Sequence, residues 1–148
     1  MNIQFKYAKH IDLIFHVLAH MQVNNASDLY SQEYIDEFKL LRNGKELFIP
    51  SDIAEYYNKH FNNVGMINFL PFYSKDFYEL KHLILNYNGF TNDDINSFVK
   101  PFLLICENES DFYFDFWENK INIVKDECVK AENIIREKLD LYRCIFDY

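Results

Sequence analysis

The sequence predicts a mainly α-helical domain of about six helices, with a long C-terminal helix and two or three short strands; an α+β arrangement is the alternative. Three observations carry this reading. Only three Gly and three Pro occur in 148 residues, too few for the tight turns of a many-stranded sandwich or barrel. Apolar residues recur at intervals of three and four over several segments, the spacing of a helix that buries one face. From about Asn119 to Phe146 there is neither Gly nor Pro. A composition 49% hydrophobic and 26% charged is that of a folding chain, and the length sets one globular domain over residues 1–148.

Residues 2–7 alternate polar and apolar, with Ile3, Phe5 and Tyr7 on one side, which predicts a short strand or extended arm. From Lys9 to about Val23 the set Ile11, Ile14, Phe15, Leu18 and Met21, widened by Leu13 and Val17, predicts an amphipathic helix ended by Asn24-Asn25. Ser27 or Asp28 caps a second helix to about Leu41, where Asn43-Gly44 supplies a left-handed stop, and Glu46 to Ile49 is short and extended. A hairpin turn at Asn43-Gly44 is less consistent with the helical residues before it.

Pro50-Ser51 opens a third helix to about Asn63, with Ser51 as cap and Gly65 after it. Met66 to Tyr73, with Pro71 inside, predicts a buried connection or short strand. Ser74 caps a fourth helix to about Asn86, and Thr91 caps a fifth that kinks or restarts at Pro101. Residues 107–118 permit a strand with Phe112, Phe114 and Phe116 inward or a helix with Asp111, Asp115 and Glu118 outward, the helix being preferred. The last helix carries Ile121, Val124, Cys128, Ala131, Ile135 and Tyr142 at helical spacing, with Asp126–Lys130 and Glu132–Arg136 as acid-first pairs one turn apart.

Fifteen basic residues against 23 acidic ones give a net charge of -8, and no Lys/Arg cluster offers a footprint for phosphates, which disfavours nucleic acid as a partner. Cys106, Cys128 and Cys144 are odd in number and widely spaced, as core residues in a reducing compartment are. The N-terminus lacks a secretory pattern and no run of about 18 apolar residues occurs, so the expectation is a cytoplasmic protein without a membrane span. Asn25-Ala26-Ser27 and Asn108-Glu109-Ser110 match the glycosylation pattern but have no consequence there. Aromatic residues make up 18% of the chain, and Tyr30, Tyr34, Tyr56 and Tyr57 offer apolar area with a polar tip, suited to core, rim or contact patch.

The sharpest chemical constellation is Asp12-x-x-x-His16-x-x-x-His20 on one side of the first helix. Two imidazoles one turn apart can share a divalent metal ion. Asp12 and His20 stand about 12 Å apart along an ideal helix, so Asp12 serves better as acceptor for the His16 ring proton. His16-Val17-Leu18-Ala19-His20 lacks the Glu that makes a zincin base, and the competing reading is a hydrogen-bonded pair at the border of a helix face. Glu79-Leu80-Lys81-His82 matches one Glu-x-x-His element of di-iron bundles, without the second copy they need. Asp111, Asp115 and Glu118 could pair for acid–base work, but also describe a solvated face. Glycines at 44, 65 and 89 cannot form a phosphate loop.

The functional expectation is therefore a cytoplasmic helical interaction or structural domain, acting on a protein partner or as a homo-oligomer, with the long final helix as interface. The alternative is a divalent-metal-binding protein or metal-dependent hydrolase using His16 and His20. An accessory part of an enzyme whose catalytic residues lie on another chain is a third reading.

Overall fold

The computed structural model describes residues 8–21 and 31–146, the side chains of residues 122–124, 127–128 and 139–146 excepted. Among the described residues the elements are α-helices joined by 3-10 and π turns, with no strand. The mainly α reading stands, and the short strands and the α+β alternative are corrected for these residues. The arm expected at residues 2–7 and the caps at Ser27 and Asp28 lie outside them.

Helix α1 spans Lys9–His20 and buries Leu13, Ile14, Val17 and Leu18, the three-four stripe of the sequence. It stops before Val23 because Met21 already has extended backbone, its N–H still donating to the Val17 and Leu18 carbonyls. Helix α2 spans Gln32–Leu41 and is stopped by Asn43 (φ 56°) and Gly44 (φ 80°), whose N–H donates to the Lys39 carbonyl at 2.8 Å. This left-handed termination satisfies carbonyls the helix would otherwise leave open. Residues 45–50 follow as irregular chain, because an extended segment becomes a strand only beside another that can take its hydrogen bonds.

Helix α3 spans Ser51–Lys59, with Pro50 rather than Ser51 as the capping residue. The predicted run to Asn63 is broken at His60 (φ -114°), after which the four-residue α4, Phe61–Val64, continues into a 3-10 turn at Gly65–Asn68. Gly65 has ordinary right-handed backbone (φ -59°) and stops nothing. A second 3-10 turn, Leu70–Tyr73, completes the expected buried connection in place of a short strand: Pro71 falls in its first turn, where the missing N–H costs no hydrogen bond. Ile67, Leu70 and Pro71 are buried.

Helix α5 spans Phe77–Leu85 and is capped by Asp76, not Ser74; the Asp76 carboxylate accepts from the Glu79 N–H at 2.8 Å. Ser74 instead donates its hydroxyl to the Pro71 carbonyl. Thr91 caps α6, Asn92–Asp94, in a reciprocal box: its hydroxyl accepts the Asp94 N–H, and the Asp94 carboxylate accepts the Thr91 N–H at 2.9 Å. A π turn at Ile95–Val99 leads into α7, Lys100–Phe146, so the chain restarts as an α-helix with Pro101 at its second residue. Residues 107–118 are helical and continuous with the C-terminal helix.

The chain divides into two units. The larger runs from Ala8 to Asp111, and its core joins Leu13, Leu18, Phe38, Ile67, Leu80, Ile84, Phe98 and Phe102. Phe98 and Phe102 stack at 5.2 Å and Tyr57 meets Phe98 at 5.3 Å; each such ring stabilises the fold by roughly 1.5–3 kcal/mol on full burial. In the other unit, whose described residues begin at Phe112, Tyr113 and Ile121 are buried, Tyr113 contacts Phe116, and Arg136 donates to Glu132 at 2.8 Å. Val129, Ile134 and Ile135 are exposed there.

Candidate functional site

The densest set of buried polar groups gathers on His16. Its helix position between Leu13 and Val17 on the buried stripe draws the imidazole into the core, where it is 1% exposed. A buried imidazole needs partners for both ring nitrogens. Nε2 lies 3.0 Å from Glu109 Oε1 on α7, and Nδ1 lies 2.9 Å from the Tyr34 hydroxyl on α2. Arg42, just past the end of α2, pairs with the other oxygen of Glu109. Phe38 packs its ring 4.4 Å from the imidazole.

Burial lowers the proton affinity of His16, and this outweighs the hydrogen bond to Glu109, which acts the other way. For Glu109 burial opposes ionisation, yet the hydrogen bonds from His16 and Arg42 and the Arg42 charge hold its carboxyl below the usual range. The state at neutral pH is thus a neutral imidazole beside a carboxylate. A carboxylate has no proton to give, so His16 donates through Nε2 and accepts the Tyr34 hydroxyl proton at Nδ1. Tyr34, His16, Glu109 and Arg42 form one directed hydrogen-bond chain across α1, α2 and α7.

His20 sits one turn on, its ring 4.5 Å from that of His16. Its Nδ1–H donates to the His16 carbonyl at 2.8 Å, and burial lowers its proton affinity. Nε2 of the neutral ring is then an acceptor, and among the described residues it has no hydrogen-bond partner.

The structure thus brings His16 and His20 together as the spacing predicts, but engages both nitrogens of His16. The acceptor for the His16 ring proton is Glu109, 93 residues distant, while Asp12 is exposed. Sharing an ion between the two rings would mean giving up Tyr34 or Glu109. Among the described residues no three His, Cys, Asp or Glu side chains come together as a metal-holding group. Glu79 accepts the Lys75 N–H at 2.7 Å, and His82 is exposed beside Asn86, so that pair serves helix α5. Asp111, Asp115 and Glu118 are all exposed. Cys106 is buried, which pushes its thiol well above the usual range and makes it an inert core residue.

A second polar cluster ties α3 to α6. The Tyr56 hydroxyl lies 2.8 Å from Asp93 and 3.0 Å from Asp94, and the ring stacks on His60 at 4.2 Å. Desolvation, then the two carboxylates, raise the phenol well above its usual range and keep it protonated.

Sequence reasoning missed Glu109 and Arg42. A signal for Glu109 existed: it falls in register with Phe102, Cys106 and Tyr113, an acid on an otherwise apolar stripe. Arg42 carries no such mark. No protein-family model, curated protein or solved structure matches the chain. No helix among the described residues is long and apolar enough to cross a membrane.

Proposed function

We propose that this chain is a cytoplasmic interaction domain that works by binding a protein, either a different partner or a second copy of itself. The observation that carries this is the exposure of four aromatic side chains within ten residues: Phe69 (58%), Phe72 (61%), Tyr73 (78%) and Tyr78 (85%). Phe69 precedes the 3-10 turn that holds Phe72 and Tyr73, and Tyr78 lies in the first turn of α5, so one short stretch of chain carries all four exposed rings. Clustered exposed apolar groups mark contact surfaces, and aromatic anchors supply much of the binding energy there. Val129, Ile134 and Ile135 on the long helix add exposed apolar area in the other unit. The net charge of -8 favours a protein over a nucleic acid.

Site-specific photo-crosslinking tests this. Benzoyl-phenylalanine in place of Tyr73 or Tyr78 should give one defined adduct in cells, and in place of exposed Asn88 should give none. No adduct at either tyrosine, or equal adducts at all three, contradicts the proposal. Sedimentation over roughly 1 µM to 1 mM then separates a second copy from a different partner.

A further inference from the structure

From Ile121 to Ile145, the residues taken alternately three and four apart along α7 are all apolar except Lys138. A strict seven-residue repeat of this kind is the seam of a left-handed coiled coil, which a second helix covers. The helix that carries it is 47 residues long, against a usual mean of about 11–12. We propose that this seam pairs with the same seam of a second copy of the chain, antiparallel, with Lys125 of each helix beside Glu132 of the other. This rests on the reading that the chain works by binding a protein, and it names the second copy as that protein.

Three observations select this pairing. First, the seam is open where the pairing is centred. Ile121 is already buried, at 7% exposure, but Ala131, Ile135 and Lys138 on the seam and Ile134 beside it are exposed, Ile134 and Ile135 at 55% and 40%. Second, charge chooses the orientation. In a parallel pair in register the two flanks of the seam face each other, which sets Lys120 opposite Lys125 and Glu127 opposite Glu132, like charge against like. Turning one helix round sets a flank against itself in reverse, so that Lys125 meets Glu132 twice by symmetry, the self-complementarity a two-fold interface requires. Glu132 can take the added ammonium: Arg136 Nε and Nη2 both donate to its Oε1, at 2.8 and 2.5 Å, and a carboxylate has a second oxygen to accept with. Third, charge also chooses the register. Centred between residues 129 and 130, the pairing sets position 124 against 135 and position 128 against 131, all four being apolar residues. Moving the centre half a repeat toward the N-terminus sets Lys125 against Lys125, and half a repeat the other way sets Glu132 against Glu132. A centre nearer still to the N-terminus falls on Ile121, which is already covered.

The test is sedimentation equilibrium on the full chain from about 1 µM to 1 mM, where a dimer with a Kd of about 10–100 µM is expected. Lys125→Glu and Glu132→Lys should each weaken association about tenfold, because each turns two attractive contacts into repulsive ones. The double variant Lys125→Glu/Glu132→Lys should return to within about threefold of the native sequence, and that recovery separates a lost contact from a lost fold. In a parallel pair the same single changes relieve like-charge contacts, so tighter association in either single variant would overturn the orientation. Ile135→Asp, on the seam and exposed in the single chain, should abolish the dimer and leave the far-UV circular dichroism of the monomer unchanged. A chain that is monomeric at about 1 mM, single charge variants that leave the Kd as it was, or a dimer that survives Ile135→Asp would overturn the pairing. Such a result with the crosslinks at Tyr73 and Tyr78 intact removes the helix pairing alone. Loss of the crosslinks together with the dimer removes the interaction reading on which the pairing rests.

Discussion

Glu109 holds two cationic or proton-donating neighbours in place at once, and removing it strands both. Breaking a buried charged pair from one side typically costs about 3–5 kcal/mol, so Glu109→Ala should lower unfolding stability by roughly 3 kcal/mol in urea titration. Glu109→Gln keeps an acceptor for His16 and loses the charge for Arg42, and should cost less, about 1–2 kcal/mol. The same network sets the pH dependence. His16 and His20 have folded-state proton affinities below the ordinary 6.5, and Glu109 below the ordinary 4.5. In each case the unfolded chain binds more protons between the two values, so the stability is present above the ordinary value and is lost as pH falls through the folded one. Melting temperature should therefore decline as pH drops below about 6.5, with a further decline below about 4.5. Stability that rises on acidification would contradict the assignment. The pairing of His16 with His20 was legible because helix spacing is local. Their partners were not: Glu109 and Arg42 reach His16 only through the packing of α7 and the end of α2 on α1, and only the place of Glu109 on an apolar stripe hinted at burial.

At the scale of elements, the features read correctly are those settled within a few residues. Thr91 with acids in the next turn is a cap wherever it stands, and Asn43-Gly44 stops α2 because both residues adopt positive φ. Thr91→Ala should cost about 1 kcal/mol by loss of the box, measured by denaturant titration. Gly44→Ala meets nothing within 4 Å, so its cost is the backbone strain of φ 80° alone, about 1 kcal/mol. The misreadings involve competition. Ser74 and Asp76 both suit a cap two residues apart, and the one placed opposite the Glu79 N–H prevails. Pro71 argued against a helix, yet the first turn of a 3-10 segment accepts it, and of the buried connection or short strand expected there the structure has a buried connection built of two 3-10 turns.

For the whole molecule, composition and periodicity sufficed for the mainly helical architecture, because scarce Gly and Pro and the three-four spacing act along the entire chain. They could not show which apolar residues stay uncovered. Phe69, Phe72, Tyr73 and Tyr78 have the composition of a core and the exposure of a surface, and only tertiary packing separates the two. If these rings face a partner, their removal should leave the monomer nearly intact, since substitutions at exposed sites usually change stability by less than about 0.5 kcal/mol. The most direct measurement combines both halves of that statement: the photo-adduct yield at position 78 and the denaturation midpoint, each compared between the native sequence and Phe69→Ser/Tyr73→Ser. Adduct lost at unchanged stability is the predicted result; an adduct that persists, or stability that falls by several kcal/mol, would contradict the account.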